Sequence, residues 1–301
     1  MRSIDGTRTF RNLAGRGFLI GVGAQKAGTS WLYDYLGHHP EVAMSPIKEL
    51  HYFDQRFRPD LCGRWAQDFE RQTSAAIGAL ARGKTGSLSH LQHLSDRVRM
   101  NVDPAAYLEY FDRLATHGRP VMGEVTPSYS LLPEQGFAEM RSMIIRAGAE
   151  PRIVFILRDP AERFWSQCRF ESSADRSIEA IYSQALGDPQ FLERTRYDAT
   201  MARLRAVFRP QELLVLFYED LFAKPAIERL CRFLGIAFAP PDATQRINAS
   251  PQGSLVADKR KHLMEVFAPV YAFVEREFGA EVPSIWRQGL KADRDRTQDG
   301  R

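Results

Sequence analysis

Cysteine is scarce in this chain. Three among 301 residues, Cys62, Cys168 and Cys231, stand far apart with no C-x-x-C spacing. That pattern argues against a disulfide framework and a cysteine-rich zinc site, and it suits a reducing cytoplasm. An excess of one charge is missing too. The 41 Lys and Arg nearly balance 37 Asp and Glu, for a net charge of +4. So mild a balance does not indicate a nucleic-acid binder, although it can conceal a small basic pocket for an anionic ligand. Long apolar runs are also absent, and the longest early one, Phe18 to Ala24, is too short to span a bilayer. It follows Arg8, Arg11 and Arg16 as a signal segment would, but it runs straight into Gln25-Lys26 without a convincing cleavage site. A soluble, cytoplasmic protein is the expectation. No internal repeat or low-complexity block is visible.

What the chain does have is core-forming material. Hydrophobic residues make up 44% of it, with 19 Phe, 10 Tyr and 4 Trp, too many aromatics to leave in water. A chain of this length can bury most of its apolar surface without a disulfide or metal staple. Residues 1–17 and 291–301 are polar and read as loose ends. Between them, short apolar runs alternate with helical patterns. This predicts an α/β, P-loop-type three-layer fold: a central, mostly parallel sheet of about five strands flanked by helices, in a single domain over 1–301. The predicted strands are Phe18–Val22, Val42–Met44, Val121–Val125, Arg152–Leu157 and Leu213–Tyr218.

Helix punctuation is explicit at three places. Asp103-Pro104 opens a helix with Tyr107, Leu108, Phe111 and Leu114 on one face, and Gly118 is its expected stop. Lys224-Pro225 opens another, closed by Gly235. The last runs from about Asp258 to Phe278 with a kink at Pro269. Gln55–Asn101 is polar, arginine-rich and weakly periodic, and reads as a long loop-like excursion, a lid or an acceptor-side segment.

The sharpest local signal is Gly23-Ala24-Gln25-Lys26-Ala27-Gly28-Thr29-Ser30, between the first strand and an amphipathic run through Trp31, Leu32, Tyr35 and Leu36. Strand, glycine loop and helix together aim backbone N–H groups at a phosphate. Gly23, Gly28 and Ser30 match the nucleotide-triphosphate loop, but Thr29 stands where its lysine belongs, and Lys26 lies inside the loop. The plainer alternative is a glycine turn capped by Thr29 or Ser30. The pattern resembles the 5′-phosphosulfate loop of sulfotransferases that use 3′-phosphoadenosine-5′-phosphosulfate (PAPS). The resemblance implies donor contacts from Lys26, Ala27, Gly28, Thr29 and Ser30.

A second motif stands about 130 residues on, where Arg152–Leu157 runs into Arg158-Asp159-Pro160 and then Glu162-Arg163-Phe164-Trp165-Ser166. Arg158 is thus expected at the carboxyl end of a strand, where open α/β sheets bind ligands. The same resemblance puts Arg158 and Ser166 on the 3′-phosphate that marks PAPS and its product, 3′-phosphoadenosine-5′-phosphate (PAP). On the residues alone, a strand-end ion pair from Arg158 to Asp159 or Glu162 serves as well.

Lys48-Glu49-Leu50-His51-Tyr52-Phe53-Asp54 is similar to a segment of heparan-sulfate-type carbohydrate sulfotransferases, and the likeness implies Glu49 as general base. His51 is its substitute or partner, since histidine titrates near neutrality. An extended segment would project both from one side. Gly123-Glu124-Val125-Thr126-Pro127-Ser128-Tyr129 also resembles this family, with Val125 where relatives often carry lysine. Ile247–Ser254 falls where relatives close a loop over the donor, without the family's basic Lys-Gly-Arg element. The implied chemistry is sulfuryl transfer to a hydroxyl or amine of a small-molecule or carbohydrate acceptor, with Lys26 stabilising the leaving phosphate and no metal required. An ATP-dependent P-loop kinase and a non-catalytic PAPS- or PAP-binding module are the alternatives. His38-His39 reads as a helix-end pair.

Overall fold

The computed structural model describes residues 9–61, 63–115, 118–241 and 254–287, and for 63–68 the backbone alone. Five strands form one sheet: β1 (Gly17–Gly23), β2 (Val42–Met44), β3 (Val121–Val125), β4 (Glu150–Leu157) and β5 (Leu213–Phe217). Their order is β2-β3-β1-β4-β5, and every pairing is parallel. The strands are nearly continuous apolar runs because helices cover both faces, as parallel crossovers require. Phe18, Leu19, Ile20 and Val22 of the central strand are wholly buried.

The helices follow in chain order. They are α1 (Thr29–His38), α2 (Asp54–Phe57), α3 (Gly63–Ala81), α4 (Ser87–Val102), α5 (Ala105–Leu114), α6 (Glu134–Arg146) and α7 (Pro160–Glu171), then α8 (Ile178–Ala185), α9 (Pro189–Glu193), α10 (Tyr197–Val207), α11 (Lys224–Leu234), α12 (Ala257–Val266) and α13 (Ala268–Phe278). The sequence punctuation works as chemistry. Asp103 Oδ1 accepts the N–H of Ala105 at the head of α5. Gly235 closes α11 in the left-handed conformation, and Pro269 starts α13, so the expected kink is a break at Phe267. His39 caps α1 and its Nε2 bonds the carbonyl of Ala237.

Two expectations are corrected. The N-terminal stretch is not loose where it is described. Phe10 and Leu13 are buried, Asn12 bonds Asp112 of α5, and the guanidinium of Arg16 donates to the carbonyls of Ala115 and Arg119. Nor is Gln55–Asn101 a loop. It folds as α2, a turn at Pro59–Leu61, and the paired helices α3 and α4, with α4 packed on α5. The polar, arginine-rich composition masks the helices, because the hairpin buries only a few residues, including Leu94 and Met100, and leaves Ile77, Leu88, Val98 and Val102 in water. Residues 1–8, 247–253 and 291–301 of the earlier expectations lie outside the described residues. Among the described residues no helix is long and apolar enough to cross a membrane.

Candidate active site

The candidate residues gather at the carboxyl ends of the strands. β1 delivers the glycine loop, β2 leads into Ser45–Asp54, β3 into the turn Pro127–Leu131, β4 into Arg158, and β5 into Tyr218. Backbone contacts knit these ends together. Glu49 N–H donates to Val125 O at 3.1 Å, and Thr126 N–H donates to Gly21 O at 3.0 Å.

Two glycines shape the loop. A Cβ at Gly23 would lie 2.8 Å from Pro127 O, and one at Gly28 would lie 2.8 Å from a Leu221 methyl and 3.0 Å from the Tyr218 ring. Gly28 is also the N-cap of α1, with φ of 85°. No side chain caps this helix and its first turn holds no acid, so Thr29 and Ser30 are not the caps the plainer reading required. The positive end of α1 therefore has neither a side-chain cap nor an acid of its own first turn.

Lys26 adopts φ of 68° inside the loop. Its carbonyl accepts Arg158 Nη1 at 2.9 Å, and its ammonium lies 4.0 Å from the ring centroid of Phe170, itself 58% exposed. Burial, then the nearby Arg158 and Arg169 guanidiniums, push the ammonium down to about 8. Lys26, Arg158 and Arg169 gather positive charge at the loop, a setting that suits an anion. The guanidinium of Arg158 also stacks over Tyr218 at 4.5 Å, while its contact with Glu162 is a long 3.9 Å. Asp159 turns elsewhere: it caps α7 by accepting Glu162 N–H and takes Arg260 and Tyr271 from α12 and α13. The strand-end ion pair is thus secondary, and Arg158 faces the glycine loop. Ser166 lies about two turns into α7. It is buried, so its hydroxyl meets a ligand only where that ligand is itself enclosed.

Glu49 and His51 come together, but not as an extended pair. Both are left-handed, with φ of 63° and 56°. His51 Nε2 lies 3.6 Å from Glu49 Oε2, and Lys48 Nζ lies 2.5 Å from Glu49 Oε1. Crowding by protein pushes the Glu49 carboxyl up, but His51 and Lys48 override it and hold it down to about 2. His51 is driven the other way. Burial lowers it, yet Asp54 and Glu49 hold its imidazolium up to about 9.

Asp54 and Ser128 belong to two sequence motifs, neither of which announces a role for them. In the structure the buried Asp54 Oδ2 lies 2.6 Å from His51 Nδ1 and accepts Ser128 Oγ–H at 2.5 Å. Asp54–His51–Glu49 is therefore a continuous line of alternating charge that opens into the cleft at Glu49, 39% exposed. The signal in sequence was the three-residue step from His51 to Asp54, but Ser128 is seventy-four positions away and only the sheet brings it near. Glu124 is a further surprise. It is fully buried, and the hydroxyls of Tyr107, Thr126 and Tyr129 surround it. Burial raises its carboxyl, and hydroxyl donors rather than a cation satisfy it.

A family model described as "Sulfotransferase family" matches residues 19–240, which takes in all five strand ends. The chain belongs to the sulfotransferase family. It is 24% identical over 194 residues to carbohydrate sulfotransferase 15 of Homo sapiens, and 23% identical over 194 residues to that of Rattus norvegicus. Each alignment covers 60% of this chain and 32% of the relative, so the chain spans about a third of those proteins. Among solved structures, a sulfotransferase from Alicyclobacillus acidocaldarius superposes with a TM-score of 0.62 at 23% identity, covering 91% of this chain and 99% of that one. That likeness extends the sulfotransferase fold to almost the whole described chain.

Proposed function

We propose that this sulfotransferase moves a sulfuryl group from PAPS to a hydroxyl or amine of a small-molecule or carbohydrate acceptor, in the cytoplasm. The observation that carries the reading is backbone strain. Among the described residues only three non-glycine residues have positive φ, and they are Lys26, Glu49 and His51. Each such conformation costs on the order of 1–3 kcal/mol, and such outliers concentrate at reaction centres.

The donor supplies an activated sulfuryl group, and the chain supplies position and charge. Lys26 and the free N–H groups at the head of α1 would stabilise negative charge growing on the leaving 5′-phosphate. Arg158 and Ser166 would hold the 3′-phosphate, the former with a fork already fixed by Lys26 O and Tyr218. A bond forms between the acceptor atom and sulfur as the sulfur–phosphate oxygen bond breaks, PAP keeps the electron pair, and the acceptor's proton goes to Glu49. Glu49 is favoured over His51 because it is ionised throughout the neutral range, whereas His51 already carries a proton there. His51 then serves as the cation beside Glu49, held by Asp54. Lys48 pairs with Glu49, and donor phosphates that draw Lys48 away would restore basicity to the carboxylate.

Calorimetry tests the donor assignment. PAP should bind at least about tenfold tighter than ADP, because a charge-assisted contact is worth about 1.5–3 kcal/mol. Equal affinities would remove Arg158 and Ser166 from the donor site. Mass spectrometry of acceptor libraries incubated with PAPS tests the transfer itself. Glu49→Gln should lower turnover about 10²–10⁴-fold with PAP affinity intact, whereas a pure binding module yields no sulfated product from either protein.

A further inference from the structure

The helical hairpin between β2 and β3 reaches back into the reaction centre through a buried cation. Arg97 of α4 is 2% exposed, and its Nε donates to the carbonyl of Leu50 at 3.1 Å. Leu50 is the single residue between the two left-handed positions, Glu49 and His51. The Leu50 carbonyl lies in the rigid peptide plane that leads directly into His51, and only one residue separates it from the turn at Glu49, so whatever grips it constrains the backbone at both. Asp54, Glu49 and Glu124 are among the carboxyl groups near the guanidinium, with the Tyr129 hydroxyl also close. Burial is the larger influence and lowers Arg97 to about 10, so the protein accepts a cost to keep it there.

The grip is reciprocal. Arg56 of α2 donates to Met100 O of α4 at 2.8 Å and to its own neighbour Tyr52 O at 3.2 Å, with its guanidinium 3.8 Å from the Tyr52 ring centroid. Tyr52 N–H in turn donates to Tyr129 OH at 2.9 Å. One arginine thus runs from the hairpin to the catalytic segment and another runs back. Phe69 of α3 lies under Arg97, with its ring centroid 6.0 Å from the guanidinium carbon, so both helices of the hairpin feel this residue.

We propose that Arg97 is a positioning residue that holds Leu50 O so that Glu49 and His51 keep their left-handed geometry, tying the α3–α4 hairpin to the proton-handling pair. The proposal rests on Glu49 and His51 being that pair. It makes the hairpin a support for the reaction centre and not only a wall beside it.

The test follows His51 by NMR in the full chain with labelled histidine, its signal assigned by loss in His51→Gln. Wild type should titrate near 9. In Arg97→Met two effects oppose each other. Removing a positive charge alone would raise the His51 midpoint, because a repulsion is lost. Releasing Leu50 O would lower it, because the imidazolium loses its carboxylates. The proposal requires a fall of about one unit or more toward the ordinary value. A midpoint that stays or rises overturns it. Should Arg97→Met fail to fold, Arg97→Gln, neutral and too short for the same grip, gives the same two readings.

PAP titrations run alongside. Affinity within about twofold of wild type in the variant is expected, a difference of about 0.4 kcal/mol. Loss of PAP binding together with the histidine shift means general loosening and also overturns the proposal. Failure of wild type itself to bind PAP sinks the sulfotransferase donor reading and not this one, which the histidine midpoint decides.

Discussion

A lysine crowded by two guanidiniums is a proton acceptor in waiting. Lys26 is held at about 8 by burial and by Arg158 and Arg169, so near that pH much of it is neutral. A phosphate anion placed beside it favours the charged form and raises its pKa. PAP binding near pH 8 should therefore take up protons, which calorimetry in two buffers of different ionisation enthalpy detects; in Lys26→Gln the uptake should vanish. The Glu49–His51 pair has its own pH signature. His51 is raised from 6.5 to about 9, so its stabilisation is whole below 6.5 and fades as pH climbs through 9. Glu49 is lowered from 4.5 to about 2, so its share is whole above 4.5 and fades as pH falls through 2. Between those limits the pair contributes most. Thermal unfolding should show the wild-type advantage over His51→Gln shrinking from pH 6.5 to 9, and a constant difference would mean the imidazolium is not held by its carboxylates.

At the scale of elements, the glycine loop is the least forgiving piece. Gly28→Ala places a Cβ where Leu221 and Tyr218 already stand, at φ of 85°. Denaturant titration should show a loss on the order of 1–3 kcal/mol, and PAP affinity should fall further because the loop aims the head of α1. This loop was legible in sequence, as were the strands, because glycine spacing and apolar runs are local properties. The left-handed turn at Glu49 and His51 was not. Glutamate gives no sign of positive φ and histidine only a weak one, and the conformation is held from outside, by Val125 O on Glu49 N–H and by Arg97 on Leu50 O. Asp54 and Ser128 were hidden for the same reason: each residue is ordinary and only their meeting is informative. The hairpin of α3 and α4 looks loop-like in sequence because polar and arginine residues dominate it and several of its apolar residues, Ile77, Leu88, Val98 and Val102, stay in water.

For the whole molecule, the segment before β1 acts as a strap. Gly15 N–H donates to Gly148 O at 2.8 Å and Arg16 O accepts Glu150 N–H at 2.8 Å, so the strap joins β4 while Asn12 and Arg16 hold the end of α5. Leu13 is wholly buried beneath it. Leu13→Ala should cost about 2–5 kcal/mol in denaturant unfolding; a cost below about 1 kcal/mol would mean that the strap is only laid on the surface. The strand order has a consequence for synthesis. β1 lies at the centre of the sheet, yet its partners β3 and β4 are made much later, the second only when Glu150–Leu157 emerges. At about 5–20 residues per second, the apolar run Phe18–Val22 leaves the ribosome on the order of ten seconds before both of its edges can be covered. A chaperone that holds nascent chains should therefore dwell on this segment, and translation stalled ahead of β4 should release a product that aggregates through it.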